Sequence, residues 1–154
     1  MSQLKAYFED YAANHRHPMN KVTHYLGIPL IVMTLFGMLS HWVILPQLMT
    51  ETVLGFQLQL DGGILIWLLA SLWYLKLEWR LGLPFSGILL LLYYVSLQFS
   101  FSLLVLGFIL GWIFQGIGHA IYEKARPAFL TNILHLLVGP LWIFARAVGY
   151  LKKQ

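Results

Sequence analysis

Two short polar motifs carry the residue types able to do chemistry. HRHPMNKVTHYLGIP (residues 15–29) places His15, His17 and His24 within ten residues, at the lip of an apolar run. QGIGHAIYEKARPA (residues 115–128) places His119 at the end of another apolar run. Imidazole ligates zinc, iron, copper and nickel alike, so the side chains alone do not name a metal. The chain has no cysteine. Disulfides, thiolate metal sites, iron–sulfur clusters and cysteine nucleophiles are therefore excluded. A metal would be held by histidine, carboxylate, amide or water. A haem between paired histidines fits the same residues, and zinc would leave hydrolysis open.

Spacing adds a second layer. Asn20 and His24 stand four residues apart, so on a helix they share a face. Gln115, His119 and Glu123 stand at i, i+4 and i+8 and would form one polar stripe on an α-helix. Gly111, Gly116 and Gly118 would let another helix approach closely. Plainer roles fit each residue taken singly. An interfacial histidine can simply sit among headgroups, and Asn20 or Gln115 can tie helices together. His17 can cap a helix before Pro18, and His135 can bond a neighbour. Convergence at one membrane depth raises the site reading and leaves these roles open beside it.

The elements that must position these groups are hydrophobic. Of 154 residues, 59% are hydrophobic and 10% charged, against about 25% charged in a soluble domain. The expected class is all-α: a polytopic membrane helical bundle of four to five hydrophobic segments, with an amphipathic N-terminal helix, forming one domain over residues 1–154. Leu4, Tyr7, Phe8 and Tyr11 recur at helical spacing. Residues 1–17 thus form an amphipathic helix on the membrane surface or, equally, one packed on the protein itself. Spans are expected at 22–44, 63–79, 85–98 and 103–122. Pro29 is expected to kink the first, and polar connections are expected at 46–62, 76–84, 98–102 and 123–127. The last apolar segment, 128–151, holds Gly139-Pro140 and is expected to be re-entrant or interfacial. No cleavable signal peptide, internal repeat or low-complexity tract is expected.

Basic residues set the orientation. Arg16 and Lys21, Lys76 and Arg80, and Lys124 and Arg126 flank the spans, whereas residues 46–62 and 98–102 contain no Lys or Arg. This pattern puts the N-terminus and all three clusters in the cytosol. The net charge of +4 thus reads as membrane orientation, and no nucleic-acid partner is expected. The same topology brings His15, His17, His24 and His119 to one depth and sends His41 to the opposite end.

HRHPMNKVTHYLGIPL and GWIFQGIGHAIYEKARPAF together resemble the signatures of the membrane 2-hydroxy fatty acid (2-hydroxypalmitate) dioxygenase-like family, formerly a domain of unknown function. The first half reads His, Asn five residues later, His four after that, then Gly-x-Pro. The second reads Gln-x-x-x-His, an acidic residue, then Arg-Pro-Ala. The resemblance covers essentially the whole chain. It implies an Fe(II)-dependent, non-haem dioxygenase that uses O₂ to shorten 2-hydroxy fatty acids by one carbon. By motif position it implies His15, His24 and His119 as metal ligands and, with Glu123, as catalytic residues. Asn20 and Gln115 would support them. The family is thought to use four histidines, and His135 is favoured over His17 for the fourth. Lys124 or Arg126 would pair with the substrate carboxylate. Membrane lipid would be the remaining partner; with no retention signal evident in the sequence, a bacterial inner membrane is expected rather than the endoplasmic reticulum.

Two other readings stay open: a non-enzymatic lipid-binding or scaffold protein, and a small membrane haem protein. They separate in one preparation. The dioxygenase reading predicts stoichiometric metal with no Soret band, the haem reading predicts the band, and the scaffold predicts neither.

Overall fold

Local capping explains where most helices begin. The computed structural model describes residues 2–45, 52–53, 56–57 and 60–152. Ser2 accepts the Lys5 N–H and opens α1 (Gln3–Ala13). Leu4, Phe8 and Tyr11 form its buried stripe and pack in the same core as Val138, Leu141 and Trp142 of the last helix. Of the two expectations for this helix, packing on the protein is the one observed. His17 then caps α2 (Pro18–Ser40), its Nδ1 accepting the Met19 N–H at 3.1 Å. Pro18 occupies the first helical position, where its missing N–H costs no hydrogen bond.

α2 ends at Ser40, four residues before the expected end of the first span. The β-branched pair Val43 and Ile44 belongs instead to a strand, β1 (Val43–Leu45), antiparallel to β4 (Leu60–Asp61). Between them, β2 (Thr52–Val53) pairs with β3 (Phe56–Gln57). The connection expected at 46–62 is thus strand-paired wherever it is described up to Asp61, and Gly62 already opens the next helix. Residues 46–51, with Glu51, and residues 54–55 and 58–59 lie outside the described residues.

Asp61 starts α3 (Gly62–Leu77), accepting the Ile64 N–H on Oδ1 and the Tyr93 hydroxyl on Oδ2, at 2.9 and 2.7 Å. Glu78 is the whole joint between α3 and α4 (Trp79–Ser96). Its backbone is extended, at φ −160 and ψ 99, and its carboxylate accepts the Arg80 N–H. The polar connection expected through residue 84 is therefore mostly helix, with Pro84 inside α4. One extended, self-capping residue reverses the chain, so a longer loop is not needed. A turn at 97–100 leads to α5 (Phe101–Ile117), which continues as a π-helical turn over Gly118–Glu123. Lys124, in the left-handed region at φ 52, ends it. An irregular stretch leads to α6 (His135–Ala147), where Pro140 is internal.

Among the described residues, three helices are long and apolar enough to cross a membrane: Pro18–Ser40, Trp79–Ser96 and Phe101–Glu123. Leucine and isoleucine side chains stand exposed along the bundle, among them Leu69, Leu72, Leu91, Leu106 and Ile113. Such surfaces suit lipid. α3 and α6 are apolar but have 16 and 13 residues. At ~1.5 Å per residue both are shorter than a ~30 Å hydrocarbon core. Residues 153–154, with Lys153, lie outside the described residues.

The site depends on how closely α2 and α5 pack. A Cβ on Gly27 would lie 2.8 Å from the Gly111 carbonyl oxygen, and one on Gly111 would lie 2.6 Å from Ile31 Cγ1. One on Gly118 would collide with Asn20 Oδ1 and Thr23 Oγ1. Gly116, expected to share this role, faces open space. Gly27, which the sequence marked only within the Gly-x-Pro motif and not for helix packing, takes its place. Gly27→Val is expected to destabilise the bundle by about 1–3 kcal/mol through overpacking. Gly116→Ala is expected to leave it unchanged. Thermal unfolding in detergent measures both.

Candidate metal centre

His15 follows α1, His24 lies nearly two turns into α2, and His119 lies in the π turn. All three are buried, and one nitrogen from each lies within 4.8 Å of the others. The rings stand edge to face, at 74° for His15 and His24, 68° for His15 and His119, and 82° for His24 and His119, with centroids 4.5 to 5.0 Å apart. They surround a common point rather than stacking.

Backbone carbonyls orient two of the rings. His15 Nδ1–H donates to the Tyr11 carbonyl at 2.7 Å, and His24 Nδ1–H donates to the Asn20 carbonyl at 2.8 Å. A carbonyl only accepts, so both rings carry the proton on Nδ1 and a lone pair on Nε2. Those two Nε2 atoms face each other at 3.1 Å. Lone pairs at that separation repel unless a cation or a shared proton lies between them. Two nitrogens each about 2.1 Å from one metal ion in neighbouring positions stand about 3 Å apart. His119 Nδ1 is buried without a hydrogen-bond partner. Burial, with smaller contributions from nearby His119 and His135, lowers the His15 imidazole to about 4, outweighing the upward effects of its Tyr11 hydrogen bond and of Glu123. The ring is thus neutral at neutral pH, as ligation requires. The donor set fits a metal ion.

Glu123 fastens the centre without entering it. Its carboxylate accepts the backbone N–H groups of Arg16 and His17 at 2.9 and 3.0 Å and the Asn20 side-chain amide at 2.8 Å. These donors lie around the start of α2, where a carboxylate also complements the helix dipole. The expected single face of Gln115, His119 and Glu123 assumed α-helical spacing. The π turn from Gly118 replaces that spacing with i→i+5 bonding. Glu123 therefore reaches the α1–α2 junction while His119 turns inward.

A cavity of about 230 Å³ opens from the three histidines. It continues along α2 past Ile28, Ile31 and Leu35, with Phe108 and Trp112 opposite. Gln115 lines it, its Nε2 buried and unpartnered. His135 also lines the cavity but lies outside the three-histidine group; its Nε2 bonds Asp10 Oδ2 at 2.8 Å. His17 is the α2 cap. His41 ends the same helix, its Nδ1–H donating to the Gly37 carbonyl at 2.9 Å. Lys124 and Arg126 are exposed and do not line the cavity.

Sequence reasoning missed Tyr11 and Asp10 as parts of this region. Tyr11 stacks on His15 with ring centroids 4.0 Å apart, and its i, i+4 spacing to His15 was a usable signal. Asp10 had none, since its partner lies 125 residues away.

The family model described as 2-hydroxy-palmitic acid dioxygenase Mpo1-like matches residues 1–151. The chain is also similar to 2-hydroxy-palmitic acid dioxygenase MPO1 of Saccharomyces cerevisiae. The two are 30% identical over 159 residues, covering 97% of this chain and 84% of the yeast protein. No solved structure matches the chain.

Glu123→Ala removes three hydrogen bonds to a charged acceptor. It is expected to cost on the order of 2 kcal/mol and to lower metal retention, because the α1–α2 junction carrying His15 loosens. Thermal unfolding and metal analysis of the same sample check the pair of effects.

Proposed function

This chain belongs to the 2-hydroxy-palmitic acid dioxygenase Mpo1-like family, and from that membership we propose that it is an Fe(II)-dependent oxygenase shortening 2-hydroxy fatty acids by one carbon with O₂. The observation that carries the reading is the pair of Nε2 lone pairs facing each other at 3.1 Å at the head of an apolar cavity. His15, His24 and His119 would hold the metal ion. Bound there, iron would supply the activation of O₂ that side chains alone do not provide.

The remaining work falls to the chain's own residues. The Tyr11 and Asn20 carbonyls keep the His15 and His24 protons on Nδ1, so both rings offer Nε2 to the centre. Glu123 holds the α1–α2 junction against the end of α5. The apolar walls at Ile28, Ile31, Leu35 and Phe108 take an acyl chain, whose burial contributes ~0.8 kcal/mol per CH₂. They also keep bulk water from the reacting carbon. Exposed Lys124 and Arg126, just past the π turn, attract the carboxylate of an approaching acid. The distribution of basic residues favours a cytosolic face for this end of the bundle.

The test is metal analysis together with O₂-dependent consumption of 2-hydroxypalmitate by the purified protein. Iron near one per chain and a product one carbon shorter are expected. The double variant His24→Ala, His119→Ala is expected to lose at least 100-fold in rate and most of its metal while keeping its helical content. Full activity in that variant overturns the proposal.

A further inference from the structure

The cavity wall holds polar atoms that the metal centre does not use. Tyr11 Oη, Gln115 Nε2 and His135 Nδ1 are buried without a hydrogen-bond partner, and all three residues line the cavity. Their residues are 3%, 6% and 6% exposed. Buried polar atoms are rarely left unpaired, because desolvation is then uncompensated. Three of them on one apolar cavity mark a place for a polar group that the protein does not supply.

Their chemistry differs in a usable way. With Asp10 Oδ2 accepting from His135 Nε2–H at 2.8 Å, the tautomer protonated on Nε2 alone presents a lone pair at Nδ1. The Tyr11 hydroxyl and the Gln115 amide can donate. Tyr11 lies between the two histidine sets, stacked on His15 and edge-on to His135 at 5.7 Å. One acceptor beside two donors complements a 2-hydroxy acid, whose hydroxyl donates and whose carboxylate only accepts.

We propose that Asp10, His135, Tyr11 and Gln115 form a head-group subsite in which His135 Nδ1 accepts the 2-hydroxyl proton in a hydrogen bond, while Tyr11 and Gln115 donate to the carboxylate. The proposal rests on the 2-hydroxy acid reading above. It gives His135 a role in specificity rather than ligation, with Asp10 as the positioning residue that sets its tautomer. An unsubstituted fatty acid fills the same cavity but leaves Nδ1 unpaired. Sites built to bond a substrate hydroxyl reject analogues that lack it.

The test compares binding of 2-hydroxypalmitate and palmitate to the metal-loaded protein, followed by fluorescence of the cavity residue Trp112 against a Trp112→Phe control. Metal content is measured on every variant. The unaltered protein is expected to favour the hydroxy acid by on the order of 100-fold, the cost of leaving one buried acceptor unpaired. His135→Phe is expected to abolish the preference with palmitate binding and metal content unchanged. Asp10→Asn, at a half-exposed position, keeps the fold and is expected to weaken the preference at least tenfold. Loss of metal from His135→Phe overturns the proposal by making His135 a ligand. An undiminished preference in both variants, or none in the unaltered protein, overturns it as well. Binding of neither acid overturns the 2-hydroxy acid reading itself, and the subsite with it.

Discussion

Two neutral imidazoles whose lone pairs face each other at 3.1 Å repel unless something positive lies between them. In water the rings would turn away. Here carbonyl hydrogen bonds from Tyr11 and Asn20 hold both orientations, and burial keeps the His15 ring uncharged. The contact persists because several elements enforce it together. α1 supplies one carbonyl, the first turn of α2 supplies the other, and the π turn of α5 brings His119 across. Glu123 ties the end of that turn to the backbone just before α2, so hydrogen bonds link the segments that carry the three histidines.

The bundle around this contact divides polar from apolar along one direction. Histidines and amides gather at the end where α2 begins and α5 finishes. Below them the cavity is walled by aliphatic and aromatic side chains, and the outer faces of the long helices are apolar as well. An amphiphile with a polar head and a hydrocarbon tail matches that division at both ends. Close packing at Gly27 and Gly111 makes it possible, because bulkier residues there would part the helices that carry His24 and His119.

Much of this was legible in the residues. Helical spacing, the Pro18 start and the basic clusters marked the helices and the polar end. The i, i+4 relation of Asn20 to His24 became a carbonyl–imidazole hydrogen bond. Boundaries were less legible. Glu78 caps α4 alone, and a single capping residue looks, in sequence, like part of a longer polar loop. Val43 and Ile44 extend an apolar run whether they are helix or strand, so the end of α2 could not be placed from hydropathy. The face shared by Gln115, His119 and Glu123 assumed a period that a π turn changes, and nothing in GHAIYE announces that turn.

The composition and the spacing of polar residues by themselves determined that apolar helices cross paths and carry histidines to one end, since burial and periodicity are local properties of the chain. Motif position already groups His15, His24 and His119; tertiary structure decided how their rings meet and that His135 stands outside the group. In sequence His119 belongs to the Gln115–Glu123 motif, whereas His135 is favoured only as a fourth ligand. They part company because Asp10 in α1 captures one ring, while the π turn aims the other at His15 and His24. Contacts between residues more than a hundred positions apart depend on how helices pack, and packing is settled by side-chain volume at crossings such as Gly27 and Gly111, which no local pattern encodes.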